Sequence, residues 1–143
     1  PAPPLGLGYD DGVATAGLVM DLVARAGRPL SALCEDLAPA WTSLTMSPHC
    51  PDDSKYRVVA RLTSEFEADR AAGLTILGRR IVDVVTINGA RVKLEDGSWL
   101  LVRASSNKPE LVVVVESLRS EDDMRALFHE AMKPRLATHA EVG

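Results

Sequence analysis

Four short segments rich in valine, isoleucine and leucine, separated by turn signals, fill the second half of this sequence. They read IVDVVTI from Ile81, ARVKL from Ala90, SWLLVRA from Ser98 and ELVVVVES from Glu110. Asn88-Gly89 joins the first two segments, and Asn-Gly between β-type runs is the strongest short hairpin signal because both residues accept positive φ. Residues 95–97, Glu-Asp-Gly, supply the next turn. The stretch therefore predicts an antiparallel sheet of four strands.

Helical patterns flank the predicted sheet on both sides. The first helix is expected to begin at Asp52 or Asp53 and to end before Gly73, with one apolar stripe formed by Tyr56, Val59, Ala60, Leu62, Thr63 and Phe66. A final helix is expected over residues 120–136, followed by a loose tail, with an apolar side formed by Met124, Leu127, Phe128 and Ala131. His129, near that side, is expected to be packed rather than catalytic. This order of elements is typical of an α+β layer with helices on one face of an antiparallel sheet.

A separate helix is predicted near the start of the chain, after a lead-in rich in proline and glycine. It is expected to begin at Asp10 or Asp11, whose carboxylate would accept hydrogen bonds from the free N–H groups of the first turn, and to end at Gly27. The alternative for this acidic pair is acid/base chemistry or metal binding, which we consider less typical of a helix start.

The first 40 residues are expected to be the tail of a larger domain. Besides the helix described above they hold only a short second helix, expected over residues 31–36, and so few residues rarely bury enough surface to fold unaided. Residues 41–52, with several Thr, Ser and Pro, are then expected to be a linker.

Composition excludes several classes of protein. The 143 residues are 46% hydrophobic and 25% charged, a balance typical of soluble globular proteins, and no apolar run approaches the ~20 residues needed to cross a bilayer. We therefore expect a cytoplasmic protein without a membrane partner. The net charge of −4, without a stripe of Lys and Arg, argues against nucleic acid as a partner. Cys34 and Cys50 are expected to be reduced thiols, since the adjacent pair His49-Cys50 does not make a metal site.

A polar loop, RASSNKP from Arg103 to Pro109, separates the third and fourth predicted strands. The guanidinium of Arg103 offers a planar fork of donors that matches phosphate oxygens, and three short donors and a cation follow it, namely Ser105, Ser106, Asn107 and Lys108. This convergence predicts a site for an anion with several oxygens. The residues alone leave open the alternative of a solvated turn with Arg103 extending from a strand end.

Residues 83–117, DVVTINGARVKLEDGSWLLVRASSNKPELVVVVES, resemble the C-terminal domain of the α-D-phosphohexomutases, the phosphoglucomutase/phosphomannomutase family. In that family an (N/D)G hairpin and a dG-W-x-x-x-R strand lead into a phosphate-binding loop written R-x-S-(G/N/T)-T-x-P. Residues 9–39, YDDGVATAGLVMDLVARAGRPLSALCEDLAP, are similar to the end of the family's third domain. The resemblance implies that residues 1–40 end domain three as a helical remnant of an α/β domain. It also implies that residues 53–143 form domain four, with a fold like that of the TATA-box-binding protein.

The resemblance also implies a function. Members interconvert hexose 1-phosphates and 6-phosphates through a bisphosphorylated intermediate, using a phosphoserine and Mg²⁺ held by other domains. None of the motifs that carry the phosphoserine or the metal occurs in this sequence. The implied role is therefore that of a part of a mutase that binds the sugar phosphate and the remaining mutase domains, without catalytic or metal-binding residues of its own.

The loop residues follow the family motif unevenly. Arg103, Ser105 and Ser106 match motif positions, whereas Asn107 stands where threonine is usual and Lys108 where many members have Glu. All five are expected to bind the phosphate of the substrate. The alternative function is a stand-alone phosphate- or anion-binding module without catalysis.

Overall fold

The computed structural model describes residues 11–35 and 37–143. These fall into two compact units, which divide between Ala38 and Pro39. Within the described ranges, no helix combines the length and the apolar character needed to cross a membrane.

The described residues of the first unit form two helices, α1 (Gly12–Ala26) and α2 (Leu30–Cys34). The carboxylate of Asp11 accepts hydrogen bonds from the amides of Val13 and Ala14 at 2.9 and 3.0 Å. The predicted helix and its cap are thus confirmed for Asp11, while Asp10 lies outside the described residues. The second helix is shorter than expected, and Asp36 also lies outside the described residues. Neither helix contains a buried residue.

The second unit contains a six-stranded antiparallel sheet with the order β1-β6-β5-β4-β3-β2. Its elements along the chain are β1 (Trp41–Thr42), α3 (Lys55–Ala71), β2 (Thr75–Ile76), β3 (Arg79–Val85), β4 (Ala90–Leu94), β5 (Trp99–Ala104), β6 (Leu111–Ser117), α4 (Glu121–Ala126), a π-helical segment (Leu127–Met132) and α5 (Lys133–Ala137). The predicted fold class is confirmed, but the sheet has two more strands than the four expected. The extra strands, β1 and β2, have two residues each and are too short to produce an alternating pattern.

Alternating burial places the core on one face of the sheet. In β6 every second residue is fully buried, and the three apolar ones belong to a single cluster with side chains from α3 and the C-terminal helical segment. The cluster includes Leu111, Val113, Val115, Val58, Leu62, Phe66, Leu127 and Met132. The other face of the sheet carries no helix in the described part of the chain, and its side chains are half-buried or exposed. This layering fixes the ends of β5 and β6, between which the polar loop lies.

The start of α3 differs from the prediction. The helix begins at Lys55 with Ser54 at the N-cap position and no side-chain capping hydrogen bond, so the expected cap at Asp52 or Asp53 is wrong. The apolar stripe shifts accordingly, since Val58 is buried while Tyr56 is 63% exposed. The reason is that the carboxylate of Asp52 receives a hydrogen bond from the ammonium of Lys55 instead of from a helix amide.

Two expectations about the C-terminal part are wrong. His129 is exposed rather than packed, with its ring edge-on to Phe128 at a centroid distance of 5.2 Å. The tail is not loose, because the amide and carbonyl of Gly143 pair with the carbonyl and amide of His49 at 3.0 and 3.1 Å. His139, in the same tail, is buried.

The predicted linker lies along the outer edge of β6. Met46 exchanges two hydrogen bonds of 2.9 Å with Val113, and the amide of Leu111 donates to the carbonyl of Pro48 at 2.9 Å. These pairings bring Cys50 and the start of α3 to the end of the sheet where the polar loop lies. Cys50 is buried and Cys34 is exposed, and both are free thiols.

Candidate functional site

The polar loop turns tightly between β5 and β6. The amide of Ser105 donates to the carbonyl of Glu110 at 3.0 Å, and the amide of Glu110 donates to the carbonyl of Lys108 at 2.8 Å. Ser105 is buried and Arg103 half-buried, whereas the residues at 106–109 are exposed. Arg103 thus lies near the end of β5, and the other four predicted residues follow it in one short turn, with Ser105 at its base and Ser106, Asn107 and Lys108 on its exposed part.

The chain before and at the start of α3 supports the loop. The amide of Cys50 donates to the carbonyl of Pro109 at 2.9 Å, and the ammonium of Lys55 donates to the carbonyl of Lys108 at 3.1 Å. Lys55 also bonds to a carboxylate oxygen of Asp52 at 2.6 Å. Two consecutive carbonyls of the loop are therefore held by residues that lie more than 50 positions earlier in the sequence.

The turn between β3 and β4 lies beside Arg103. Gly89 has φ +97°, and a Cβ placed on it would lie 2.3 Å from the carbonyl oxygen of Val102 and 2.6 Å from the Cβ of Arg103. Only glycine allows so close an approach at such a φ. The Asn88-Gly89 hairpin signal therefore has a second consequence, because it lets the turn pack against the strand end that carries the guanidinium.

The donors of the loop have few partners within the protein. Arg103 donates one hydrogen bond, from Nη1 to the carbonyl of Ala104 at 3.2 Å. In the ranges 11–35 and 37–143, no carboxylate forms an ion pair with Arg103 or Lys108. In the same ranges, the side chains of Ser105, Ser106 and Asn107 make no hydrogen bond to another protein group. The loop therefore presents two cations and three short donors whose hydrogen-bonding capacity the described chain leaves largely unused.

Other features of the second unit do not extend this site. An apolar groove lies between residues 46–48 and the C-terminal helical segment, lined chiefly by Met46, Pro48, Val113, Phe128, Leu136 and Val142, and it includes no residue of the polar loop. Burial raises the pKa of the Cys50 thiol, which is therefore a neutral group at physiological pH. No group of three or more His, Cys, Asp or Glu side chains in the described part of the chain is arranged to hold a metal ion.

Sequence reasoning missed two contributors to the site, Lys55 and the close approach of Gly89. A lysine as the first residue of a helix is unusual because the positive end of the helix dipole disfavours a cation there. The sequence does not show this mismatch, because the helix is predicted to begin at Asp52 or Asp53 and Lys55 is therefore not expected to be its first residue. The pairing of Lys55 with the loop also depends on how residues far apart in sequence meet in the fold.

Comparison with known proteins identifies the domain. A family model described as the C-terminal domain of phosphoglucomutase/phosphomannomutase matches residues 50–133. The phosphopentomutase of Thermococcus kodakarensis is 36% identical over 107 residues, which are 75% of this chain and 22% of that protein. The probable phosphoglucosamine mutase of Methanothermobacter thermautotrophicus is 33% identical over 111 residues, 78% of this chain and 22% of that protein.

A solved structure agrees with these matches. The crystal structure of a phosphoglucomutase/phosphomannomutase family protein from Burkholderia thailandensis matches with a TM-score of 0.54 and 26% identity, over 86% of this chain and 24% of that one. The chain thus spans about a quarter or less of the length of the relatives it matches. With its six-stranded sheet and the matched residues 50–133, this chain belongs to the phosphoglucomutase/phosphomannomutase family and carries that family's C-terminal domain.

Proposed function

We propose that the polar loop binds a phosphate group of a sugar phosphate, and that the chain acts as the phosphate-binding C-terminal portion of a mutase. In this proposal Arg103, Ser105, Ser106, Asn107 and Lys108 hold the phosphate that is not being transferred. The reaction is the interconversion of a hexose 1-phosphate and a hexose 6-phosphate.

The observation that carries the proposal is the set of unused donors on a fixed backbone. A loop that served only as a solvated turn would not need its carbonyls held by Cys50 and Lys55. Arg103 and Lys108 are not neutralised by a carboxylate of the described chain, so a bound phosphate would meet both positive charges directly. Charge-assisted hydrogen bonds of this kind are roughly twice as strong as neutral ones.

The names of the related proteins support the proposal that the loop recognises a phosphate group. One relative is a phosphopentomutase and another a probable phosphoglucosamine mutase, and the group shared by their named substrates is the phosphate rather than the sugar. A loop that contacts only phosphate suits substrates with different sugars. It also suits a sugar that binds in two orientations, with either phosphate at the loop.

Binding of the remote phosphate would contribute to catalysis by positioning. Interactions far from the reacting centre orient the sugar for transfer, and closure of a mutase around the bound phosphate would exclude water. The described His, Cys, Asp and Glu side chains include no group of three or more that could hold Mg²⁺. We propose instead that the reacting serine and the Mg²⁺ ligands belong to other domains of a complete mutase.

We also propose that residues 1–40 are the end of a preceding mutase domain, and that residues 41–52, which include β1 and pair with β6, connect it to the rest of the C-terminal domain. The match to the Burkholderia thailandensis structure covers 86% of the chain, a larger share than residues 39–143 make up, so it reaches into the first unit. The exposed apolar side chains of α1, among them Val13 and Met20, would then be covered by the rest of that domain.

Kinetics of a complete mutase that carries this domain test the proposal. Arg103→Ala should raise KM for the sugar phosphate and lower kcat/KM by about one to several orders of magnitude, as expected for the loss of a charged hydrogen-bonding partner. The matched control is Arg80→Ala, which removes an exposed arginine paired with Glu95 at the start of β3. Kinetic constants for Arg103→Ala equal to those of the wild type would contradict the proposal.

A further inference from the structure

We infer that Lys55 is a positioning residue of the polar loop, an inference that rests on the phosphate-binding function proposed above. It acts through the carbonyl of Lys108, which its ammonium holds from the side of α3, and it places a positive charge behind the loop.

The environment of Lys55 is unusual for a lysine. The side chain is only 4% exposed, whereas lysine is almost never fully buried unless it is paired. It also stands at the first position of α3, where the helix dipole disfavours a cation. Burial and the helix dipole both destabilise a charged lysine at this position. The two hydrogen-bond acceptors of the ammonium, the carboxylate of Asp52 and the carbonyl of Lys108, offset these costs.

The two acceptors have different surroundings. The carboxylate of Asp52, 2.6 Å from the ammonium, is 70% exposed, so water screens its negative charge. The carbonyl of Lys108, 3.1 Å from the ammonium, belongs to the backbone of the loop. An anion at the loop would therefore experience the buried positive charge more strongly than the exposed negative one.

The contact also restrains the loop. Lys55 holds the carbonyl of Lys108 and the amide of Cys50 holds the next carbonyl, so the backbone is fixed on the side of α3 while residues 106–109 remain exposed. Preorganised donors bind an anion more tightly because less conformational freedom is lost on binding. Removal of the ammonium should therefore weaken phosphate binding in two ways, because a positive charge is lost and the loop backbone is less restrained.

A positioning role for Lys55 and a purely structural ion pair between Lys55 and Asp52 predict different effects on phosphate binding when each residue is replaced. If the pair served only to stabilise the start of α3, removal of either member would lower stability and leave phosphate affinity unchanged. If Lys55 positions the loop, only removal of the lysine should weaken phosphate binding. Removal of the Asp52 carboxylate keeps the contact with Lys108 and deletes a negative charge, so the affinity should stay the same or rise.

The experiment is a titration of the 143-residue chain with inorganic phosphate at low ionic strength, followed by NMR. Lys55→Met should raise the Kd for phosphate about five- to tenfold, as the loss of one nearby charge and one restraint predicts. Asp52→Asn should leave the Kd equal to or below that of the wild type. The control pair is Lys93→Met and Asp83→Asn, which removes a similar but half-exposed pair with a 3.6 Å separation and should leave the Kd unchanged.

A Kd for Lys55→Met equal to that of the wild type would overturn the inference, as would an equal rise in Lys55→Met and Asp52→Asn. If Lys55→Met does not fold, Lys55→Gln replaces it, because the neutral amide removes the charge and keeps a polar side chain at the position. A raised Kd for Lys55→Gln supports the inference, and a Kd equal to that of the wild type overturns it. The phosphate-binding function is tested separately in the same series. It fails if the wild-type chain does not bind phosphate or if Arg103→Ala binds it equally well. If these two behave as proposed and Lys55→Met does not weaken binding, only the inference about Lys55 fails.

Discussion

Gly89 lies against Arg103 so closely that no side chain fits between them. A Cβ on Gly89 would be 2.6 Å from the Cβ of Arg103 and 2.3 Å from the carbonyl oxygen of Val102. The hairpin turn between β3 and β4 is thereby packed against the strand end from which the guanidinium extends. The turn that joins β3 and β4 therefore packs directly against the strand end that leads into the polar loop.

Gly89→Ala should lower the free energy of unfolding by about 2–4 kcal/mol, because the new Cβ meets backbone atoms and the positive φ is strained for alanine. Gly78→Ala is the matched control, since Gly78 also has a positive φ of +76° but open space around it. That variant should lose only about 1 kcal/mol. Urea unfolding of both variants measures the difference. Equal losses of unfolding free energy would show that the close contact between Gly89 and Arg103 does not contribute to stability.

The opposite end of the sheet contains a buried ion-pair network centred on Arg79. Its side chain is 1% exposed, and its two terminal nitrogens lie 2.8 and 3.2 Å from the two carboxylate oxygens of Asp123. Nη1 also lies 3.1 Å from Asp96, and Ser117 donates to Asp123 at 2.7 Å. The network joins β3, the turn before β5 and the start of α4.

Arg79→Met should destabilise the second unit by about 3–5 kcal/mol, because it leaves the partly buried carboxylate of Asp123 without its ion-pair partner and leaves Asp96 with Arg119 alone. Arg80→Met is the control, since that exposed arginine pairs with Glu95 at the surface and should contribute within about 1 kcal/mol. Thermal unfolding compares them. A melting temperature for Arg79→Met equal to that of Arg80→Met would show that the network is not important for stability.

The same network predicts a loss of stability in acid. Burial raises the pKa of the Asp123 carboxyl, but hydrogen bonds from Ser117 and Arg79 and the charge of Arg79 outweigh it, so the pKa lies below its ordinary value. The pKa of Asp96 is lowered as well, since its hydrogen bonds with Ser98 and Arg79 outweigh the effect of burial. A carboxyl with a lowered pKa in the folded state stabilises the fold above its unfolded pKa, which is about 3.9 for Asp.

The free energy of unfolding should therefore decline as the pH falls below about 4 and the two carboxyls become protonated. Asp96→Asn should show a shallower decline over this range, because one of the two groups no longer titrates. Urea unfolding at a series of pH values between about 5 and 2.5 measures both slopes. Identical slopes for the wild type and Asp96→Asn would contradict the assignment of acid sensitivity to this network.

The elements that local patterns encode could be predicted from the sequence. The Asn88-Gly89 turn requires positive φ at Gly89, which the structure shows, and the alternation in β4, β5 and β6 follows from one buried face. The predicted position of the polar loop between β5 and β6 is also confirmed, because the alternating patterns of these two strands mark the segment between them. Its phosphate binding stays a prediction, because it depends on a ligand and not on the pattern.

The features that could not be predicted depend on contacts between distant residues. The pairing of His49 with Gly143 and the bond between Lys55 and Lys108 join positions separated by more than 50 residues. The misplaced start of α3 has a similar cause, because Asp52 has a better partner in the ammonium of Lys55 than in a helix amide. Local periodicity contains no information about such partners.

Titration of the 143-residue chain with inorganic phosphate, followed through its backbone amide resonances, tests phosphate binding most directly. If the loop binds phosphate, the amides of Ser105, Ser106 and Asn107 should show saturable shifts that are weaker at high salt and lost in Arg103→Ala. Chloride at equal ionic strength should not produce them. Amide resonances that do not shift on addition of phosphate, or that shift equally in Arg103→Ala, would show that the loop is not a phosphate site.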